Sequence, residues 1–228
     1  ALRALQKDRL SHTACQWIES VAALPNLPLF VVANEFFDAL PIRQFVFDGA
    51  WRERMIGGSD RLSFGLSPPA NLDWPSAATG TFREMCPQGE GVMQSLGARI
   101  KSQGGAILTV DYGDWDGFGD TLQALKDGKP SDPLQNPGTA DLTAHVRFRA
   151  LAGASGLGGI RFTTQGAFLA AMGIGRRAAA LAKAPGAADS IAAALHRLTA
   201  TEEMGEVFKV LALTPSATDT VPGFETQR

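Results

Sequence analysis

Apolar residues in this chain come in short runs that stop abruptly on polar ones. The clearest case is L-F-V-V-A-N-E-F-F-D-A-L-P-I-R-Q-F over residues 29–45. Residues 29–33 are β-branched at Val31 and Val32, too few for a helix, and lack period-2 alternation. That pattern predicts a strand covered on both faces, as in a parallel α/β sheet. A second such run, residues 106–110, ends on Asp111-Tyr112-Gly113. A helix is expected before it over residues 89–103, with Val92, Met93, Leu96 and Ile100 at helical period and Gly104-Gly105 as its stop.

Other stretches fill in around these strands. Residues 2–10 read as a surface helix, 15–18 as a short strand and 19–24 as a helical turn. Alternation on both sides of Asp48-Gly49-Ala50 predicts a β-hairpin of residues 43–47 and 51–56, with another strand at 61–66. Residues 67–80 read as a loop, and Thr81 to Glu84 as a capping sequence for the helix that follows. The stretch 113–137 is loop-rich, with a helix expected at 121–126; residues 140–153 read as a helix opened by Asp141. Residues 161–163 and 207–213 read as strands, and 165–172, 176–184 and 189–200 as helices. The tail 216–228 is polar and expected to fray. The regions 43–80 and 113–160 are the expected insertions, and strands alternating with helices define an α/β class.

The strand ends carry the candidate chemistry. In an open α/β sheet, ligands sit beyond the carboxyl ends of the strands. Asn34, Glu35 and Asp38 follow the first run, and Asp111 and Tyr112 follow the second. The plain alternative is that Asn34 caps a helix whose first turn holds Glu35 and Asp38, that Asp38 pairs with Arg43, and that Asp111 and Tyr112 are a turn aspartate and a packed tyrosine. Asp141 and His145, four apart on the expected helix, would touch. Phe36 and Phe37 read as pocket wall or core. Asp114, Asp116 and Asp120 lack the register and closing glutamate of an EF-hand, so they read as a solvated acidic loop suited to a basic peptide.

Composition narrows the class. The 228 residues are 45% hydrophobic and 19% charged, enough for a packed core. A formal charge of −2 gives no general pull toward nucleic acid or anionic lipid, and no apolar run is long enough for a transmembrane helix. Cys15 and Cys86 form neither a metal-ligand spacing nor a disulfide framework. The chain opens on Ala1 within the first expected helix and reads as a piece entered partway through a domain.

The motifs A-N-E-F-F-D-A-L-P-I-R-Q-F, G-G-A-I-L-T-V-D-Y-G, D-L-T-A-H-V-R-F, T-Q-G-A-F-L and M-G-E-V-F-K-V-L-A-L, in this order, resemble the MidA-like methyltransferases. That family is related to the mitochondrial complex I assembly factor that methylates an arginine. The resemblance implies a Rossmann-like class I methyltransferase sheet, partial because its N-terminal strands are absent, with an α/β insertion. Residues 29–33 would be the fourth strand, 106–110 the fifth, and 207–213 a seventh, antiparallel one.

The resemblance further implies S-adenosylmethionine as cofactor and arginine on a protein as substrate, a respiratory complex I subunit being one candidate. Asn34, Glu35 and Asp38 would orient the acceptor nitrogen; Phe36, Asp111, Tyr112, Asp141 and His145 would line the substrate side; Asn34 and Trp17 would face the cofactor. A homo-oligomer is allowed, and the expected compartment is the bacterial cytoplasm, or the mitochondrial matrix in a eukaryote. Family members carry upstream a glycine-rich turn after the first strand and an acidic end to the second. This chain shows neither, so half a cofactor site is expected. The alternative function is an assembly protein that keeps the fold and acts through protein contacts.

Overall fold

A computed structural model describes residues 2–117 and 119–224. It opens with α1 (Leu2–Arg9) and a single 3-10 turn at Val21–Ala23, then β1 (Leu29–Asn34). Four strands follow: β2 (Arg43–Phe47), β3 (Trp51–Gly57), β4 (Ser63–Pro69) and β5 (Phe82–Met85). Helix α2 (Pro87–Gln103) leads into the long β6 (Gly105–Asp114). Short strands β7 (Gln123–Lys126), β8 (Lys129–Ser131), β9 (Asp141–Thr143) and β10 (Val146–Arg147) precede α3 (Phe148–Ser155). The C-terminal part runs β11 (Gly159–Thr164), α4 (Gln165–Ala171), α5 (Ile174–Leu181), α6 (Ala188–Thr199), α7 (Met204–Val207) and β12 (Phe208–Thr214).

The main sheet has the order β1-β6-β12-β11, with β10 added beside the end of β6. β1 and β6 are parallel, and β12 runs antiparallel to both β6 and β11. That is the arrangement expected of the fourth, fifth and seventh methyltransferase strands. Helices α2 and α3 pack beneath it. Met93, Ile100, Ile107, Phe148, Leu211 and Leu213 are essentially inaccessible and form the centre of the core. The two helices approach closely at Gly97, where an added Cβ would lie 1.9 Å from the Ser155 carbonyl oxygen. Only glycine allows that backbone contact.

A second, antiparallel sheet, β4-β3-β2-β5, has its own small core of Phe45, Trp51 and Trp74 in edge-to-face contact. A third, β8-β7-β9, sits beside it in sequence. Its tight turn is Asp127-Gly128, with φ of 52° and 72°. Left-handed values at both central residues fit the twist of a two-residue hairpin.

Several sequence expectations fail here for identifiable reasons. β1 is not covered on both faces: Leu29, Val31 and Ala33 pack on the core, but Phe30 and Val32 are 84% and 73% exposed. It lies at the sheet edge, and no described element covers that face. Residues 15–18 form no strand, having no partner; Trp17 donates its indole N–H to Gln6 at 3.0 Å instead. Residues 82–85 are strand rather than helix cap, because Phe82 and Arg83 pair with Val46 and Phe45. The helix expected at 121–126 is β7, and the one expected from residue 140 begins only at Phe148. In both, pairing across β7 and β9 overrides local helical preference. The tail is ordered by turns through Phe224, which packs on Phe168; residues 225–228 lie outside the described residues.

Candidate active site

No helix follows β1, so the helix-cap reading of Asn34 falls away. Residues 35–40 form a turn beyond the strand end. Glu35 donates its backbone N–H to the Val110 carbonyl at 3.0 Å and takes a φ of 46°. A left-handed glutamate is strained by roughly 1 kcal/mol, and such strain persists where surroundings impose it.

What imposes it is Asp111. This side chain is fully buried at the end of β6. Its Oδ2 accepts the backbone N–H groups of Phe36, Phe37 and Asp38 at 3.3, 3.1 and 3.3 Å, and Oδ1 accepts that of Tyr112 at 3.0 Å. Burial, and then the charge of Asp38, push the Asp111 carboxyl up to about 7, against the backbone donors that pull it down.

Asp38 is itself 6% exposed. Its Oδ2 accepts the Tyr112 hydroxyl at 2.7 Å, and its Oδ1 has no hydrogen-bond partner among the described residues. Arg43, the alternative partner, instead forks onto Glu53 with both contacts at 2.7 Å. Burial first, and then Asp38, hold the Tyr112 hydroxyl well above the ordinary phenol value, against a lowering contact with Thr143. Tyr112 therefore stays protonated as a donor. Its ring stands edge-on to His145 and Phe208 at 5.6 and 5.5 Å.

These groups open on a cleft of about 640 Å³. Glu35, Asp38, Tyr112, Asp141 and His145 all line it, so five of the sequence candidates come together. The lining carries three carboxylates (Glu35, Asp38, Asp141) and neither lysine nor arginine. Such a cleft favours a cation. Asp141 and His145 reach it from a strand and the segment after it, rather than from one helix face. Asp111 lies beneath as the anchor of the turn.

Asn34 and Phe36 are neighbours on that turn but are not among the lining residues; Asn34 donates its side-chain amide to Glu35 at 3.4 Å. Trp17, half-buried under Lys7, is also not among them.

Gln123, Leu142, Thr143 and Phe208 line the cleft without having been singled out in the sequence. Behind them is a buried polar network. Glu84, 5% exposed, accepts from Gln44 at 2.6 Å and from the Thr121 backbone at 2.9 Å. Thr121 Oγ1 in turn accepts the His145 backbone N–H at 2.9 Å. The second sheet thereby positions the histidine-bearing segment. The sequence signals for this are the Asp48-Gly49 turn, which joins β2 to β3, and the Asp127-Gly128 turn, which marks β7 and β8 as strands.

The residues present fit one side of a cofactor site. Asn34 stands exposed at the end of the edge strand β1, where its amide can meet a ligand's hydroxyl or amino groups. The glycine cluster Gly153, Gly156 and Gly158 closes α3 and leads into β11, so it is not a turn that follows a strand.

A mixed sheet of this order, with acidic groups at the ends of its parallel strands β1 and β6, is that of a class I methyltransferase. The family described as "Putative S-adenosyl-L-methionine-dependent methyltransferase" matches residues 1–164, and the chain belongs to it. Among curated relatives, the mitochondrial protein arginine methyltransferase NDUFAF7 of Xenopus tropicalis is 36% identical over 224 residues, covering 88% of this chain and 50% of that protein. The human protein of the same name is 34% identical over 215 residues, covering 87% and 48%. The chain thus spans about half the length of the curated relatives it matches. A solved structure of a superfamily member from Burkholderia thailandensis, bound to S-adenosyl-homocysteine, superposes with a TM-score of 0.83 at 26% identity, covering 99% of this chain and 64% of that one. Another from the same organism gives 0.84 at 26% identity, covering 99% and 66%.

Proposed function

We propose that this chain supplies the acceptor side of an S-adenosylmethionine-dependent methyltransferase that modifies arginine on a protein. The observation that carries the reading is a cleft lined, among the described residues, by three carboxylates and neither lysine nor arginine, at whose wall the buried Oδ1 of Asp38 has no hydrogen-bond partner among those residues. A buried acceptor without a donor is costly, and a guanidinium brings five donors in a planar fork.

In this reading Asp38 Oδ1 accepts one guanidinium N–H while Tyr112 holds Oδ2 fixed. Glu35 accepts a second, so the fork is gripped from two sides and one nitrogen is left facing the end of β1. S-adenosylmethionine, when bound, supplies a methyl group on a sulfonium. The chain's residues align the nitrogen with it and take up the proton that the nitrogen must lose, for which the exposed Glu35 carboxylate is the acceptor with a route to water. Asn34 and Trp17 are assigned to the cofactor side. Phe36, Asp141 and His145 are assigned to the substrate side, with Asp111 as a positioning residue. The names of the relatives support a protein substrate and, for eukaryotic members, mitochondria. A respiratory complex I subunit, a homo-oligomer and a bacterial cytoplasmic location are finer readings of the same resemblance.

The test of the cleft's preference is binding. Peptides carrying a central arginine, lysine or citrulline are titrated into the chain and followed by fluorescence anisotropy. Arginine is expected to bind tightest, and Asp38→Asn to erase its lead over citrulline. Equal binding of arginine and citrulline would remove the basis of the assignment and favour the non-catalytic assembly protein.

A further inference from the structure

Beside the acidic cleft lies a second depression of about 330 Å³, at the lower end of the ~300–1,000 Å³ common for ligand sites. The turn after β1 forms its floor with Leu40, Pro41 and Ile42; β3 and β4 supply Ile56 and Phe64, and Leu122 and Leu142 close the far side. Two of these walls are large apolar side chains left to water, Ile56 at 56% and Leu142 at 48% exposure. Large apolar surfaces gathered around a concavity mark interaction sites, whereas scattered ones do not.

Among the described residues lining the groove, the single cation, Arg54, is already committed. Arg54 pairs with Asp120 at 2.5 Å, donates to Gln44 at 3.2 Å, and lies over the Phe64 ring at 3.6 Å. Held between a carboxylate and an aromatic face, it presents a neutralised wall rather than an anion site. The groove therefore suits an uncharged apolar group. It is also continuous with the acidic cleft, because Asp38, Ala39, Leu142 and Thr143 line both. One ligand can occupy the two together only if it is cationic at one point and apolar a short distance away. An extended polypeptide, advancing about 3.3 Å per residue, meets that description.

We propose that this groove is a specificity subsite of the enzyme, taking a branched or aromatic apolar side chain of the substrate polypeptide close in sequence to the arginine that enters the acidic cleft. The proposal rests on the arginine methyltransferase reading above. It adds that the second sheet, through Ile56 and Phe64, selects among arginines by their neighbours. Truncating an apolar side chain from a fitted pocket shifts recognition by roughly 10-fold or more, and in KM where the groove binds ground state and transition state alike.

The experiment uses the protein extended to the full length of its relatives, with S-adenosylmethionine and peptides having one arginine among serines. A single leucine is walked through each position on either side of the arginine, and methylation is quantified by mass spectrometry. At one position or a narrow pair, leucine is expected to lower KM about 10-fold with kcat unchanged. Ile56→Asp is expected to abolish that advantage while leaving the all-serine peptide unaffected, and Ile56→Thr, which keeps the β-branched strand residue, to reduce it partly. Thermal unfolding of both variants verifies that they fold. Methylation with no positional preference, or a preference that survives Ile56→Asp in a folded protein, overturns the subsite and leaves the arginine reading standing. No methylation of any arginine peptide overturns both. If Ile56→Asp instead dissociates a dimer seen by sedimentation, with KM unchanged, the groove is covered by a second copy and the proposal is wrong.

Discussion

Asp111, on β6, accepts the backbone N–H of Phe37 at 3.1 Å, across 74 residues of sequence. Together with its bonds to the amides of Phe36 and Asp38, this fastens the turn after β1 to the neighbouring strand. Glu35 and Asp38 are thereby held toward the cleft, and the cost is a buried carboxyl raised to about 7.

That cost has a pH signature. A carboxyl raised in the folded state above its ordinary value of 3.8 favours folding when protonated, so its contribution is complete below about pH 3.8 and is lost as pH rises through about 7. The charge of Asp38 adds to the rise, and the backbone N–H of Tyr112 opposes it. Urea midpoints of wild type and Asp111→Asn, compared over that window, should show the wild type losing stability relative to the variant as pH rises. A constant difference would mean that Asp111 does not titrate there.

Tyr112→Phe removes the one donor on Asp38 Oδ2 and leaves a buried acceptor empty. The expected destabilisation is about 1–3 kcal/mol by denaturant titration. Methyl transfer should fall as well, since the Asp38 carboxylate loses the bond that fixes its orientation. Unchanged stability and turnover would show that the hydroxyl is replaceable by water.

Glu35 separates strain from chemistry. Glycine accepts its φ of 46° without penalty, so Glu35→Gly should unfold no earlier than wild type. Catalysis should drop by about 10-fold or more with the carboxylate gone, and Glu35→Ala should match that drop with a lower melting temperature. A Glu35→Gly enzyme with full activity would remove Glu35 from the site.

The α2–α3 contact gives a purely structural control. Gly97→Ala drives a methyl to within 1.9 Å of the Ser155 carbonyl, a clash that only a backbone shift relieves. A loss of about 1–3 kcal/mol is expected, at about 2–4 °C of melting temperature per kcal/mol for a domain of this size. Calorimetry on the variant reads it directly.

The strands at 29–34 and 105–114 were legible because a short apolar run, closed by polar residues, is too brief for a helix and too apolar for a loop. Their order and the antiparallel β12 came from the family resemblance rather than from periodicity. Asp38, Tyr112, Asp141 and His145 were all legible as candidates, yet Asp141 and His145 for the wrong geometry. An i, i+4 spacing suggested a helix, whereas pairing with β7 puts Asp141 on the cleft and the bond from the His145 backbone N–H to Thr121 holds the histidine there. The anchoring role of Asp111 left no local trace, because its amide partners on the turn lie 73 to 75 residues away. Glu84 and Gln44 were unreadable for the same reason: burial of a charged group shows only once β2, β5 and the 120–121 segment are assembled.

The most direct measurement is methyl transfer by the protein at the full length of its relatives, to matched arginine and lysine peptides, in wild type and Asp38→Asn. Asparagine keeps the size of the side chain and removes its charge. The expected result is methylation of arginine alone, reduced about 100-fold in the variant while S-adenosylmethionine binding, followed by calorimetry, is retained. Equal transfer to lysine, or an Asp38→Asn enzyme that methylates arginine as fast as wild type, would contradict the assignment of the acidic cleft.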